Sequence, residues 1–394
     1  MQHPRGRVTG NCASRNFLIK MASMLQVVQQ SCRRRSILQI RLCSTHMRAV
    51  LVPRTGDEDV LQPLDSYAVP SPLAPDACLV RNRYAGLNFI DTYHRGGLYP
   101  RELPFIAGQE GAGVVVAVGE EASARGARVG ARVVYGSAFG SYAEYTAVPY
   151  RDLLDVPDDV PLSTATALCT QGLTAHYLAC DAHCGAVTGQ GDVVVVHAAA
   201  GGTGSLLVQL AAARGLRVVA TASSTAKRAL AVESGASAAL SYDDFAAAAA
   251  EGGSAAVLAA AQLPVDAKGG VRVVYDGVGA ATHEASLAAL GVRGCAVFFG
   301  NSSGAVPPID PLRLAVNSLI VTRPKLPDFL RDRAELAARG GDLFEMVASG
   351  ALVVRIDETF GLEDAASAHR YIASGKTKGK VLIDVASFDC GGAQ

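Results

Sequence analysis

The 394-residue chain is 49% hydrophobic and 18% charged with 41 Gly, the composition of an Ala/Gly/Val-rich α/β protein, and it contains no run of 18 apolar residues, so no membrane-spanning helix is expected. Residues 1–46 hold eight Arg or Lys and no Asp or Glu, which leaves the chain from Met47 onward with a net charge of −8. An acidic body of this length is enough for two domains and argues against binding to a nucleic-acid backbone.

The first 46 residues have the composition of a targeting segment. Arginines and one lysine are interspersed with Ser, Gln and Leu and acids are absent, which is typical of a mitochondrial transit peptide. The alternative is an over-extended start, with translation from Met47 and a cytoplasmic protein. In both cases residues 1–46 are expected to be disordered and to stay outside the folded enzyme.

The next hundred residues predict a β-rich domain. Short apolar runs at 113–118, 133–135 and 143–145 are broken by Gly and Pro, as in strands joined by turns. From residue 162 to 180 the apolar spacing becomes helical, and this helix is expected to lead into a second domain.

A strand, a tight turn and a helix follow one another at residues 193–214. Four consecutive valines, Val193–Val196, predict a strand buried on both faces, as in a parallel sheet. Gly201, Gly202, Thr203 and Gly204 then open a helix, an arrangement that suits a dinucleotide pyrophosphate at the helix N-terminus. Ala199 stands where the first glycine of the usual fingerprint would be.

The following strand decides which nicotinamide cofactor is expected. An NAD site usually places an acidic residue at the end of this strand, but after residues 217–221 there is no acid before Glu233. Small hydroxyl residues, Lys227 and Arg228 suit a 2′-phosphate instead, so NADPH is predicted. The alternative interpretation is that both cations belong to a solvated first helical turn.

Further elements extend an α/β pattern to the C-terminus. Residues 271–275 and 296–299 are predicted strands of the same parallel sheet, with a helix at 282–290 between them. Residues 246–261 are predicted as a helix followed by a loop. The chain ends with a predicted helix at 362–376 and a strand at 381–383.

Several stretches together resemble the NADPH:quinone oxidoreductases, the zeta-crystallin branch of the medium-chain dehydrogenase/reductase superfamily. They are residues 88–93, 97–100, 197–204, 274–276, 299–304 and 321–324. The resemblance implies a GroES-like β-rich catalytic domain at 47–172, completed by 315–394, and a doubly wound Rossmann domain at 173–314. It also implies a homodimer.

The zinc-dependent members of that superfamily carry a Gly-His-Glu motif and a ligand cysteine. Here the matching stretch is Gly108-Gln109-Glu110, and Leu87-Asn88 occupy the position of the cysteine. Glutamine is a poor zinc ligand, so no metal is expected. Without a Lewis acid to polarise an alcohol oxygen, alcohol oxidation is not favoured, whereas hydride delivery to an electrophilic acceptor needs less assistance.

The resemblance also implies roles for individual residues. Asn88 and Tyr93 are the expected catalytic residues at the acceptor pocket. The expected cofactor contacts are Thr174 for the central part, Gly201, Gly202, Thr203 and Gly204 for the pyrophosphate, Lys227 and Tyr242 for the adenosine phosphate, Phe299, Asn301 and Ser302 for the nicotinamide, and Lys376 or Lys380 for the phosphates.

Structural alternatives exist for two of these positions and for His197, whose other interpretation is an acid or base. Tyr93 has the properties of a core tyrosine, Asn88 those of a helix cap, and His197 those of a buried, hydrogen-bonded histidine.

The expected activity is the NADPH-dependent, zinc-independent reduction of quinones. One alternative keeps the cofactor and changes the acceptor to an enone or enoyl-thioester. Another is a non-catalytic NADPH-binding protein with a crystallin-like or RNA-binding role, against which the acidic body argues.

Overall fold

The computed structural model describes residues 44–187, 189–264 and 270–385. The predicted targeting segment up to residue 43 lies outside these ranges. Residues 44–46, the last three of the predicted targeting segment, belong to the folded body, because the Thr45 carbonyl accepts the Val69 N–H at 3.0 Å and His46 pairs with Ala68. The predicted boundary at residue 46 is therefore slightly too late.

The described residues form sixteen strands in three sheets. They are β1 (His46–Val52), β2 (Gln62–Ala68), β3 (Ala77–Leu87), β4 (Phe105–Ile106), β5 (Glu110–Val118), β6 (Arg132–Tyr135), β7 (Tyr145–Pro149), β8 (Leu154–Asp155), β9 (Val193–Val196), β10 (Arg217–Thr221), β11 (Ala238–Leu240), β12 (Val271–Asp276), β13 (Leu290–Phe298), β14 (Ile320–Thr322), β15 (Ile356–Gly361) and β16 (Lys380–Asp384).

Nine α-helices lie between these strands in the described residues. They are α1 (Phe89–Gly96), α2 (Glu120–Ala124), α3 (Leu162–Cys180), α4 (Gly202–Ala213), α5 (Thr225–Glu233), α6 (Tyr242–Ala260), α7 (His283–Ala288), α8 (Arg333–Ala348) and α9 (Ala365–Ala373). None of them is long and apolar enough to cross a membrane.

The parallel sheet follows the order β11-β10-β9-β12-β13-β14 and is the predicted doubly wound sheet. The four valines of β9 are fully buried, and alternate members pack into apolar clusters on opposite faces. This burial is why the strand reads as an unbroken apolar run. β14 is paired with β13 beyond residue 314, so the sheet continues past the predicted end of the Rossmann domain.

The second unit is a seven-stranded sheet with a three-stranded sheet beside it, as the GroES-like prediction requires. Its strands come from both ends of the chain, because β16 pairs antiparallel with β3 and parallel with β15. The long helix α3 links it to the Rossmann sheet. The predicted boundary at residue 172 falls inside this continuous helix.

The stretch predicted as helix then loop, residues 246–261, is helical almost throughout. α6 runs to Ala260, with non-helical backbone only at Gly252 and Gly253. The loop prediction is therefore wrong, because apolar contacts of Val257 and Leu258 with the sheet hold the second half of the helix.

Candidate active site

The glycine-rich turn joins β9 to α4 at the carboxyl edge of the parallel sheet. Gly201 is the N-cap and Gly202 begins the helix, followed by Thr203 and Gly204. A Cβ on Gly202 would lie 1.9 Å from Gln171 Oε1, and one on Gly204 would lie 2.3 Å from the Ala198 carbonyl oxygen. Because first-turn N–H groups have no partner within the helix, this turn presents donors to an anion.

The residue before the turn carries backbone strain. Ala198 has a φ of +51°, in the left-handed region that costs a non-glycine residue about 1 kcal/mol. Its N–H donates to the Tyr242 hydroxyl at 3.1 Å, and the Ala199 N–H donates to the Thr221 carbonyl at 3.1 Å. Tyr242 therefore anchors the start of the turn, and burial raises its pKa above the ordinary value.

A face of α3 borders the same turn. Gln171 Oε1 is buried and has no hydrogen-bond partner among the described residues. Thr174 lies half-buried one turn further along this helix. An unpaired acceptor beside this glycine turn fits a dinucleotide lying between α3 and α4, because the polar groups of the dinucleotide would satisfy the glutamine amide.

Lys227 lies at the far end of this path, in the first turn of α5. Its Nζ donates to the Gly375 carbonyl at 2.6 Å, which brings it next to the exposed Lys376. Partial burial lowers the pKa of Lys227, and Lys378 acts in the same direction while Asp357 opposes it. Lys227 of the Rossmann domain and Lys376 of the β-rich domain therefore lie close together, as a phosphate-binding site between the two domains requires.

The loop after β13 carries the three predicted nicotinamide-side residues. Phe299 is half-buried against Gly277, Asn301 is buried, and the backbone N–H of Ser302 donates to the Gly277 carbonyl at 3.3 Å. The neighbouring loop is fixed by Asp276, whose Oδ1 accepts two backbone N–H groups at 2.8 and 2.9 Å.

Tyr93 reaches this loop from α1 in the other domain. Its hydroxyl oxygen accepts the backbone N–H of Asn301 at 3.2 Å. Burial raises the pKa of Tyr93 to about 12, against the opposing effect of the Asn301 hydrogen bond. The phenol is therefore protonated throughout the neutral range, and its own hydrogen is not committed to the bond with Asn301.

Two residues beside Tyr93 were not among the predicted site residues. The ring of Tyr99 meets that of Tyr93 edge-on at 5.3 Å, and Arg323 Nη2 donates to the Tyr99 hydroxyl at 3.4 Å. Both belong to stretches that carry the family resemblance. Their proximity could not be inferred from sequence, because 224 positions separate them.

Asn88 is the N-cap of α1, and its side chain belongs to a buried polar network. Its Nδ2 donates to Glu110 Oε2 at 2.8 Å and its Oδ1 accepts from Lys380 Nζ at 2.9 Å. Lys380 also forms an ion pair with Glu110, and Glu110 Oε1 accepts the Thr170 N–H at 2.6 Å.

This network corrects the expectation that Lys380 reaches the cofactor phosphates. The side chain is 1% exposed and pairs with a carboxylate that is fully buried. A buried ammonium needs such a partner, so Lys380 is held inside the β-rich domain. Lys376, by contrast, is exposed near Lys227.

His197 is buried and hydrogen-bonded, as the structural alternative predicted. Its Nδ1 lies 2.7 Å from Thr221 Oγ1 and its Nε2 lies 3.0 Å from Ser286 Oγ. Burial lowers its pKa. Ser286 in turn donates to Asp276 Oδ2 at 2.7 Å, so His197 supports the loop after β12.

Metal-ligating side chains do not gather in the described ranges. No group of three or more His, Cys, Asp or Glu residues is placed there to hold an ion. Gln109 occupies the position of the motif histidine and is buried, and its neighbour Glu110 is paired with Lys380.

Two family models match the chain. Residues 74–158 match the alcohol dehydrogenase GroES-like domain, and residues 253–383 match a model described as zinc-binding dehydrogenase.

Individual relatives match over most of their length. A probable quinone oxidoreductase of Schizosaccharomyces pombe is 41% identical over 334 residues, which is 85% of this chain and 96% of that protein. A 2-haloacrylate reductase of Burkholderia is 33% identical over 348 residues, covering 86% and 98%. Among solved structures, Escherichia coli quinone oxidoreductase complexed with NADPH has a TM-score of 0.78 and 33% identity, covering 86% of this chain and all of that one.

Proposed function

The chain belongs to the quinone oxidoreductase family of the medium-chain dehydrogenases/reductases, and on this premise we propose that it catalyses the zinc-independent, NADPH-dependent reduction of quinones. The observation that carries the proposal is the hydrogen bond between Tyr93 and Asn301. It brings a neutral phenol from the β-rich domain against the nicotinamide-side loop of the Rossmann domain. A donor at this place suits an acceptor whose carbonyl oxygen gains negative charge.

The cofactor is bound by residues spread along the inter-domain path. Gly201, Gly202, Thr203 and Gly204 would hold the pyrophosphate at the start of α4, Lys227 would hold the 2′-phosphate, and Lys376 lies nearby as a further phosphate contact. Thr174 and Tyr242 border the middle and the adenosine end. Bound NADPH supplies the hydride, which is chemistry that belongs to the cofactor.

The protein then acts on the acceptor. The loop that carries Phe299, Asn301 and Ser302 forms one wall, and its position is fixed by the Asp276 carboxylate through the adjoining loop. Tyr93 donates its hydroxyl hydrogen to the acceptor oxygen as charge develops there. Asn88 remains a predicted contact of the acceptor, and its engaged amide fixes the N-terminus of α1, which carries Tyr93.

The proposal is tested by acceptor profiling with the purified chain. NADPH oxidation is followed with 1,4-benzoquinone, 9,10-phenanthrenequinone and a 2-enoyl thioester at equal concentrations. We expect a kcat/KM for the quinones at least tenfold above that for the thioester. A preference for the thioester would overturn the quinone assignment.

A second candidate function keeps the cofactor and reduces an activated carbon–carbon double bond. The relatedness to a 2-haloacrylate reductase over 86% of the chain favours it. The same tyrosine would then stabilise an enolate oxygen instead of a phenolate oxygen.

The chain is also proposed to form a homodimer through the β14 edge of the parallel sheet. Among the described residues this edge strand pairs only with β13, and near it Val292, Leu312 and Val316 are 55%, 80% and 68% exposed. A free strand edge beside exposed apolar side chains favours pairing with a second copy.

Localisation to mitochondria is proposed from the composition of residues 1–46. Removing residues 1–43 from a fluorescently tagged chain is expected to abolish co-localisation with a mitochondrial marker. Unchanged distribution would favour the cytoplasmic alternative.

A further inference from the structure

Arg323 lies at the edge of the proposed acceptor site. Arg323 follows β14 at the carboxyl edge of the parallel sheet, and its side chain is exposed. Nη1 donates to the Pro324 carbonyl at 3.3 Å and Nη2 donates to the Tyr99 hydroxyl at 3.4 Å. In the part of the chain that the structure describes, no Asp or Glu forms an ion pair with it.

Neutral groups hold the guanidinium near the acceptor site. In the amide orientation that satisfies all its partners, the Asn301 side-chain oxygen accepts from the Tyr99 hydroxyl at 3.1 Å and from Arg323 Nη2 at 3.3 Å. Tyr99 is itself fixed, since its backbone N–H donates to the Tyr93 carbonyl at 3.2 Å and its carbonyl lies 3.2 Å from His94 Nδ1. The charge is positioned without being neutralised.

We propose that Arg323 is a specificity-determining residue that recognises a negatively charged substituent, a carboxylate or sulfonate, on the electron acceptor. The proposal rests on the function proposed above and names the class of acceptor. A guanidinium presents several N–H donors in one plane, which matches the oxygens of such an anion. Because the body of the protein is acidic, with a net charge of −8 from Met47 onward, an anionic acceptor needs a local cation at the site.

The experiment compares two acceptors that differ in one charge, 1,4-naphthoquinone and 1,4-naphthoquinone-2-sulfonate. Their kcat/KM values are measured with saturating NADPH in the wild type, Arg323→Gln, Arg323→Lys and a control, Arg331→Gln. Arg331 is an exposed arginine that pairs with Glu335. Within each protein, kcat/KM for the sulfonate is divided by kcat/KM for the neutral quinone, which cancels any defect in folding or NADPH binding. Comparing this ratio between proteins then cancels the different intrinsic reactivities of the two quinones.

We expect the sulfonate-to-neutral ratio to fall about five- to tenfold in Arg323→Gln, to be largely kept in Arg323→Lys and to be unchanged in Arg331→Gln. The wild-type ratio should also fall with added salt. An equal loss on both acceptors in Arg323→Gln would show a structural role for this residue and overturn the proposal.

A binding measurement separates failure of this proposal from failure of the proposed function. Naphthalene-2-sulfonate, which cannot be reduced here, is titrated calorimetrically into each protein in the presence of NADP⁺. Weaker binding to Arg323→Gln than to wild type supports the anion site even if no quinone is turned over. Equal binding contradicts it.

Discussion

Tyr93 is the residue on which the proposed chemistry depends. It lies on one domain, its oxygen accepts a backbone N–H from the other, and burial keeps it protonated. The geometry assigns it a hydrogen-bonding role, because a pKa of about 12 excludes a phenolate base near neutral pH.

Replacing this hydroxyl should affect turnover and leave cofactor binding intact. We expect Tyr93→Phe to lower kcat for 1,4-benzoquinone about a hundredfold, the size of effect seen when one oxyanion donor is removed. NADPH affinity, measured by fluorescence titration, should change less than threefold. Tyr67→Phe, at a surface tyrosine that is 38% exposed, is the matched control. Unchanged kcat would remove Tyr93 from the mechanism.

The same pKa predicts how activity depends on pH. The Tyr93 donor is present below its pKa and is lost only as the pH rises towards about 12. Between pH 6 and 9 the ratio of wild-type kcat to that of Tyr93→Phe should therefore be constant. A ratio that falls with an apparent pKa near 8 would contradict the environment described for this residue.

Lys227 is the residue proposed to set cofactor preference. Its contact with Gly375 joins the two domains at the adenosine end. We expect Lys227→Gln to reduce the NADPH-over-NADH preference in kcat/KM about 10- to 100-fold, since a charge-assisted contact to the 2′-phosphate is lost. Arg125→Gln, which removes an exposed arginine near Glu121, should leave the preference unchanged. Equal losses with both cofactors would exclude the phosphate role.

At the scale of elements, the strand, turn and helix at 193–213 could be read from sequence. The four consecutive valines predict a buried strand of a parallel sheet, and the three glycines of the turn predict the close approach of α4 to that strand. The polar network of Asn88, Glu110 and Lys380 could not be read, because it joins α1, β5 and β16 across 292 positions. From the sequence, Lys380 is expected to be a phosphate ligand. The pairing of β16 with β3 instead places its side chain in the interior of the β-rich domain.

Two glycines of the turn should respond differently to alanine. A Cβ on Gly202 meets the end of the flexible Gln171 side chain, whereas one on Gly204 meets the Ala198 backbone. Gly202→Ala should therefore cost less than about 1 kcal/mol in stability yet weaken NADPH binding at least tenfold, while Gly204→Ala should cost about 1 to 3 kcal/mol. Thermal unfolding and fluorescence titration measure the two effects. The reverse ranking in stability would contradict the packing of α4.

The buried ion pair makes a second prediction at this scale. Lys380→Met and Glu110→Gln should each lower the free energy of unfolding by about 3 to 5 kcal/mol, because each leaves the other partner unpaired in the interior. The double variant should lose clearly less than the sum of the two. Urea denaturation supplies the three values, and simple additivity would show that the pair is not coupled.

At the scale of the whole molecule, the β-rich domain combines strands β1–β8 with β15 and β16. The candidate active site lies where this domain meets the Rossmann domain. The two-domain division could be predicted, but the limits at 172 and 314 could not. α3 runs through the first limit, and β14 extends the parallel sheet beyond the second. Boundaries set by long-range strand pairing leave little local signal in the sequence.

The proposed dimer edge yields a prediction on assembly. Val316→Asp places a charge on the exposed apolar patch beside β14 and should convert the dimer to a monomer. Val353→Asp, at another residue that is 64% exposed, should leave the dimer intact. Size-exclusion chromatography with light scattering distinguishes the two masses. A wild-type monomer would contradict the proposed assembly.

The most direct test of the account is the absorbance of the reduced nicotinamide when the purified chain is mixed with NADPH or NADH and 1,4-benzoquinone. The account predicts rapid oxidation of NADPH and a much slower reaction with NADH, because the glycine turn is proposed to bind the pyrophosphate of either cofactor and Lys227 the 2′-phosphate that NADH lacks. Absence of NADPH binding would contradict the assignment of the turn at Gly201 to Gly204, and tight binding without oxidation by the quinone would contradict the assigned acceptor.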